Sequence, residues 1–497
     1  MLDKLIEYVS PKAAVKRQVA RNQLSKFRSP QQRYDAAQRN HRTNSWRAGA
    51  SSTNSLFSMD GERLRNVARE LVRNNPHAKR GRQVIADGLI GPGVLPSIYL
   101  PNDKARRTKL ESRLCELCDS KNIDLDGRLN LYGLQHLSVK AIVQDGEALL
   151  LRTRQSTASG TRLPVQIQAV ECDHLDVSVN GPLTNGNYAV QGVEFNKKKK
   201  RVAYHIYDTH PSFHVSGKSY KSTRWLAENV CHLYDVERAG QARGISWYAP
   251  IALSLNDYRD YMDAQLVRQR IAASFAAFVK RVTNGGTSPL AANSEKSKSG
   301  EQLEAIEAGI IQYLDFDEDI VFGDPPSVDG VKDYSEVTLR QISVGLGVDY
   351  SALTGDYTGQ NFAGGRVGFL RYQRTINAWF SSFVLPRLDE IGGWLLDALV
   401  DMGENIEGVS INWSQPVNEM YDPVKETDTS IKSISAGLTS RAHEQRKRNF
   451  DPELLDEEIK DSNDRADQHG LVFTSDARVK AGRLPDIENQ EKDGEQS

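Results

Sequence analysis

Absences bound this 497-residue chain before any motif does. It has only four cysteines, too few for a disulfide-stapled secreted module, so a reducing compartment is expected. It has almost no net charge: 64 Lys and Arg stand against 65 Asp and Glu. That balance excludes a histone-like polybasic coat, which works through a large uniform positive excess. Mean hydropathy is −0.54, and no apolar run approaches the about 18 residues of a membrane span. The opening MLDKLIEYVSPKAAVKRQVA lacks the apolar core of a secretory signal. No GxxxxGK[ST] phosphate loop, GxSxG elbow or HExxH helix occurs. At about 150 residues per domain, the length predicts two to four domains of a soluble intracellular protein.

The neutral total hides a gradient. Residues 1–110 carry 22 basic and 8 acidic side chains, whereas residues 451–497 carry 6 basic and 14 acidic. Between Glu301 and Glu336 there are eleven acidic residues and one basic residue, Lys332. Such asymmetry is either a set of solvated faces or a set of surfaces turned to different partners.

Along the chain, Leu2, Leu5, Ile6 and Val9 have helical spacing within a polar, basic arm of about 55 residues. A helix is predicted from Asp60, stopping at Asn75 because Pro76 disfavours helical geometry one residue earlier. A second runs from Ala78 to Leu89 and ends at the GPG of 91–93, and two more cover 104–118 and 130–143. Residues 147–235 read as five or six strands, among them ALLLR, PVQIQAVE, YAVQGVEF, RVAYHIYD and NVCHLYDV, with the KKKK of 197–200 as a hairpin turn. From Ala252 to Arg281 the chain has 30 residues without Gly or Pro, predicting one long helix. A low-complexity loop (283–302) then leads to the strand-like GIIQYL and DIVFGD, joined by an acidic turn at Asp315–Asp319. A helix over 334–346 ends in GLG, and a Gly-rich loop, TGDYTGQNFAGG, follows at 354–365. Phe369, Tyr372, Ile376, Trp379 and Phe383 then step by three and four, Pro386 interrupts, and Leu388, Ile391, Leu395 and Leu399 resume: a kinked helix. Polar helices and an acidic tail expected to be disordered follow from Pro423.

No catalytic centre is legible. Cys115 and Cys118 have CxxC spacing, with Cys172 and His174 as further ligand types, but the pair lies in a helical stretch and not a metal-binding turn. Buried free thiols on the apolar side of a helix are the expectation. His205, His210 and His214 share no face and are expected at the surface or in loops. The carboxylates around 315–319 lack EF-hand spacing. No cofactor and no metal are expected.

One stretch resembles a known family. LRQISVGLGVDYSALTGDYTGQNFAGGRVGFLRYQR (339–374) is similar to the hallmark segment of lambda-like bacteriophage portal proteins. It has the LR pair Leu339-Arg340, the GLG turn, Asp349-Tyr350, Asp356-Tyr357 and an Asn-initiated helix. Ala363 and Gly364 stand where the family carries two serines. Tyr34–Ala37, ARELVRNNPHAKRG (68–81) and GLTSRAHEQRKRNFD (437–451) agree as well, in order along nearly the whole chain.

The resemblance implies a multi-domain α+β portal fold: a mixed α/β wing, a long helical stem, a small α/β clip and a helical crown. In these terms residues 1–55 are a basic arm, 56–251 the wing, 252–281 the first stem helix and 282–333 the acidic clip. Residues 334–346 are the second stem helix, 347–363 the channel (tunnel) loop, 364–422 the kinked wing helix and following strand, and 423–497 the crown and acidic tail. Implied channel-loop residues are Thr354, Asp356, Tyr357, Thr358, Gln360, Asn361, Gly364 and Gly365. The clip surface offers Asp315, Asp317, Glu318 and Asp319, and the wing offers the basic Arg69, Arg73, Lys79, Arg80 and Arg82. The implied function is a non-enzymatic ring of about a dozen copies at one capsid vertex, through which double-stranded DNA is packaged and ejected. Its implied partners are the terminase large subunit, the major capsid protein, scaffold and head–tail connector proteins, with no membrane. The implied location is the virion, and the host cytoplasm during assembly. The competing readings are a monomeric or low-order DNA-binding protein using the basic head, and a metal-dependent nuclease using scattered carboxylates such as Asp315 and Asp317.

Overall fold

The computed structural model describes residues 10–28, 41, 44–45, 49–101, 103–154, 163–213, 221–274, 278–281, 318–321, 330–359, 361–416, 422–448, 450 and 452–473. The chain divides into two compact units, Met1–Ser52 and Thr53–Ser497. The first unit contains helix α1 (Pro11–Arg28), which begins on a proline, a residue whose fixed φ suits the first helical turn. The helical spacing at Leu2–Val9 lies outside the described residues.

The second unit opens with α2 (Thr53–Asn74) and α3 (Pro76–Ile90). Asn75 separates them as expected: it is extended (φ −112, ψ 120), and its side chain accepts the N–H groups of His77 and Ala78 at the start of α3. Strand β1 (Leu95–Tyr99), α4 (Lys104–Asp119) and α5 (Leu131–Asp145) follow. The strand-rich stretch comprises β2 (Glu147–Arg154), β3 (Val165–Val170), β4 (Gly181–Pro182), β5 (Tyr188–Val190), β6 (Val193–Phe195), β7 (Arg201–Tyr207), β8 (Ser222–Leu226) and β9 (Val230–Tyr234). These make two antiparallel sheets, β3-β2-β9 and β4-β5-β6-β7-β8.

The eight strands among the described residues exceed the five or six expected, partly because YAVQGVEF is not one strand. Gln191 (φ 50) and Gly192 (φ 87) both adopt left-handed backbone and fold it into the β5–β6 hairpin. A Cβ on Gly192 would lie 3.0 Å from the Asp176 carbonyl oxygen, so glycine is also required by close approach. The lysine run does form a turn, with Lys199 at φ 62 and Asn196 N–H donating to the Lys200 carbonyl.

Helix α6 (Ala252–Ser274) is shorter than the 30 residues predicted. Phe278–Arg281 is instead strand β10, antiparallel to β11 (Glu318–Val321). The β-favouring aromatic and β-branched FV finds a partner strand distant in sequence, which no local pattern reveals. Glu318 and Asp319 therefore lie in a strand and not in the acidic turn assigned to them, opposite Arg281 and Lys280 in register. Asp315, Asp317 and GIIQYL lie outside the described residues.

The chain returns as α7 (Val331–Leu346), antiparallel to α6, with Gly345 beside Ile251 at one end and the Tyr334 and Tyr261 rings 4.2 Å apart at the other. Then come α8 (Tyr350–Thr354), α9 (Phe362–Trp379), a π turn at Phe380–Val384 and α10 (Leu385–Asp401). The kink expected at Pro386 is thus absorbed in the turn just before it, where wider spacing accommodates the missing N–H. Strand β12 (Ser410–Ser414) pairs antiparallel with β1, Ile411 opposite Ile98. Helices α11 (Pro423–Ser435), α12 (Arg441–Lys447) and α13 (Pro452–Gln468) complete the described chain; the acidic tail beyond 473 lies outside it.

Strand β2 lies between two hydrophobic clusters, which is why ALLL reads as an unbroken apolar run. Ala148 and Leu150 join the larger cluster, with Ile85, Leu89, Ile142, Ile342, Leu346 and Leu395. Leu149 and Leu151 join a smaller one with Leu175, Val193, Tyr204 and Ile206.

Candidate functional site

The segment that carries the sequence resemblance is built on close approach. Gly347 ends α7 in left-handed backbone (φ 71, ψ 22), and Val348 N–H donates back to the Ser343 carbonyl at 3.1 Å, closing the helix end. A Cβ on Gly347 would come within 2.8 Å of the Trp379 ring, and one on Gly345 would overlap Ile251. Leu346, between them, packs against Gly81 of α3, where a Cβ would lie 2.6 Å from its methyl. The GLG turn therefore locks α7 onto α3, α9 and the foot of α6. Asp349 then caps α8, accepting from Ser351 N–H at 3.0 Å and from the Ser351 hydroxyl.

The loop proper is short. Thr354 ends α8, and Gly355 (φ 74) reverses the chain. Asp356 accepts from Thr358 N–H at 2.9 Å and Thr358 Oγ1 at 2.6 Å, and those donors hold its carboxyl below the ordinary range. Tyr357 is exposed, and Gly359 is again left-handed. Gln360 lies outside the described residues. Asn361 Oδ1 accepts from Gly364 N–H at 2.7 Å and starts α9. Gly364 and Gly365, named among the channel-loop candidates although the wing helix is placed from 364, are first-turn helical residues: a strong cap and the stripe beyond outweigh their poor helix propensity.

The basic set on α2 and α3 does not form one free patch. Arg69 is consumed internally, donating to both Asp145 oxygens at 2.9 and 2.7 Å and to Asp173 at 2.6 Å. Burial alone would lower its pKa, but the two carboxylates raise it. Arg82 donates to Gln144, and Arg80 to the Ala352 carbonyl at 3.1 Å, tying α3 to α8. Arg73 and Lys79 are exposed.

Sequence reasoning missed the charges inside the body. Glu147 and Arg243 are fully buried; Glu147 accepts from Arg243 Nε at 2.8 Å and from Gly244 N–H at 2.9 Å, and lies 2.9 Å from His232 Nε2. Burial would raise the Glu147 pKa, yet Arg243 and His232 hold it well below the carboxylate range. Burial lowers His232 to about 4, so it is neutral there. The legible signal was a glutamate opening an apolar strand, which demands a partner.

Nearby, Glu171, Asp173 and His210 bring ligand atoms within 4.8 Å of one another. Asp173, however, already accepts from Arg65 and Arg69, and Arg69 lies 3.4 Å from Glu171. Positive charge is supplied there by guanidinium, which disfavours a cation. Of the CxxC pair, Cys118 is buried, whereas Cys115 is exposed, contrary to the shared apolar side expected. Burial raises both thiol pKa values, the reverse of what a metal-ligating thiolate needs. His205 is half-buried against Glu194 and His210 half-buried near Glu171 and Asp173; His214 lies outside the described residues.

The outer faces of the helices have the opposite character. Leu253 on α6 is 79% exposed, and Val337 and Val344 on α7 are 67% and 82% exposed. Met262, Leu266 and Val267 continue along α6, and Phe362, Val367 and Leu370 along α9. A body closed by internal ion pairs, carrying helices with exposed apolar side chains such as Leu253, Val337 and Val344, suits a subunit that assembles with others.

Residues 39–379 match the profile of the family described as "Phage portal protein, lambda family". A protein named "Probable portal protein" from Halomonas phage phiHAP-1 is 24% identical over 489 residues, covering 93% of this chain and 92% of that protein. Among solved structures, a chain in the virion of a native gene transfer agent particle is 15% identical, with a TM-score of 0.47 over 81% of this chain and 100% of that one. A chain in the neck of such a particle, computed with C12 symmetry, is 14% identical, with a TM-score of 0.46 over 79% of this chain and 94% of that one. The chain belongs to the lambda family of phage portal proteins. That membership carries the family's role: a structural, multi-subunit ring at a capsid vertex, serving genome packaging beside the head–tail connector.

Proposed function

We propose that about a dozen copies form this ring and that double-stranded DNA passes through its bore, inward with the terminase large subunit docked and outward through head–tail connector proteins. The observation that carries the reading is the exposed apolar surface of α6 and α7, where Leu253, Val337 and Val344 face no partner among the described residues. A ring covers such faces by repeating one heterologous contact until it closes. Assembly takes place in the host cytoplasm, with the major capsid protein and scaffold as further partners and the basic head as a surface for them.

The parts follow the order of the chain: residues 56–251 serve as wing, α6 and α7 as the stem pair, 282–333 as clip, 347–363 as channel loop and 423–497 as crown and tail. DNA must move through the bore without being held, because counterion release at many phosphates would fix it in place. The loop suits this, since Asp356 carries a negative charge beside the exposed Tyr357 and the uncharged Thr358. Acidic Asp315, Asp317, Glu318 and Asp319 repel the duplex or receive a basic partner, and Arg73, Lys79 and Arg80 are the exposed members of the basic set.

The test is packaging by rings carrying Gly364→Val and Gly365→Val. A Cβ at Gly364 lies 3.0 Å from the capping Asn361 Oδ1, so the substitution disturbs the junction of loop and helix. Rings should still form, with a fall in packaged DNA; packaging equal to the parent would contradict the loop's role.

A further inference from the structure

A groove of about 530 Å³ opens beside the GLG turn. Trp247, Trp379, Pro250 and Val344 supply apolar walls, and Asp235 and Glu237 supply carboxylates. The two indole rings stand 4.7 Å apart at an interplanar angle of 55°. Neither carboxylate forms an ion pair among the described residues, and burial raises the Asp235 pKa above its ordinary value. Aromatic faces beside unneutralised carboxylates are the environment a guanidinium or ammonium group prefers.

The same unit carries a matching ridge. Val367, Leu370, Arg371 and Arg374 share one face of α9 by three- and four-residue spacing. That face lies opposite Tyr372 and Ile376, which pack on Gly88 of α3. Arg371 and Arg374 are exposed and form no ion pair among the described residues, while Val367 and Leu370 leave apolar surface between them.

We infer that the α9 ridge of one copy docks in the Trp247–Trp379 groove of the next, with Arg371 and Arg374 answering Asp235 and Glu237. The occupant is a second copy of this chain because a closed ring requires two different, complementary faces on every subunit, and these two match in both charge and apolar content. The inference rests on the ring reading and names one contact within it.

Charge reversal tests it on the full chain, with assembly read by mass photometry near the concentration at which the parent is half-assembled. Glu237→Arg alone and Arg374→Glu alone should each reduce the assembled fraction at least tenfold, and the two together should restore most of it. The isosteric pair Asp235→Asn with Glu237→Gln, which adds no bulk, should weaken assembly in the same direction. If the single variants assemble like the parent, or the double variant recovers nothing, the pairing is overturned while the ring stands. A parent that stays monomeric at every salt concentration overturns both readings together.

Discussion

The body around β2 and the helices from α6 to α9 handle charge and apolar surface in opposite ways. Around Glu147 the charges are buried and answered inside the chain, by Arg243, His232 and the Gly244 N–H. Glu194 is similar, its side chain fully buried and bound by Arg224, Asn185 and Asn187. Along α6, α7 and α9 the surface is left open: Val344 and Leu253 face outward, and Arg371 and Arg374 have no carboxylate among the described residues. The first region is finished by its own sequence. The second is left open by it among the described residues, and that contrast suits a ring subunit: a body that holds its shape before assembly and faces that gain from it.

The contrast breaks most strongly at Glu147. Glu147→Gln leaves Arg243 buried without its counter-charge, and the expected loss is about 3–5 kcal/mol in urea unfolding of the chain. A loss below about 1 kcal/mol would mean the buried pair is not what closes the body.

Acid should expose the same region next. His232 has its pKa lowered from 6.5 to about 4, so between those values the unfolded chain binds the proton and the folded chain does not. Stability should therefore fall as pH drops through that window. Glu194, held down to about 2 chiefly by Arg224, adds stability present above its ordinary 4.5 that is lost as pH falls further. His232→Gln should flatten the thermal-stability profile in the upper window and leave the lower one; an unchanged profile would remove His232 from the account.

A smaller effect sharpens the boundary between the two regions. Gly345→Val places a side chain where even a Cβ overlaps Ile251, with an expected cost of about 1–3 kcal/mol from overpacking. Because the clash sits where α7 meets the foot of α6, assembly should suffer with stability; stability lost with assembly intact would separate the turn from the interface.

What the sequence made legible follows from range. Local signals held: Asn75 before Pro76, the lysine turn at 197–200, the GLG end of α7 and the interrupted stripe about Pro386 were all readable from neighbours within a turn or two. The end of α6 was not, because the run lacks Gly and Pro and the competing strand partner, Glu318–Val321, lies far along the chain. Gly364 and Gly365 fall in the Gly-rich run by composition but in the wing helix by the resemblance, and one hydrogen bond from Gly364 N–H to Asn361 decides for helix. Arg69 looks in sequence like a surface cation; only tertiary structure brings Asp145 and Asp173 to it, as it brings Glu147 to Arg243. The role itself was legible in the 339–374 segment, since a turn built on close approach restricts its residues tightly.

The central claim, that the open helical faces are closed by further copies, is tested most directly by imaging the purified chain by electron microscopy together with its mass in solution. The account expects a closed ring with a central hole, with about a dozen times the 55.5 kDa mass of one chain. A single 55.5 kDa species without rings at any concentration or salt would contradict it.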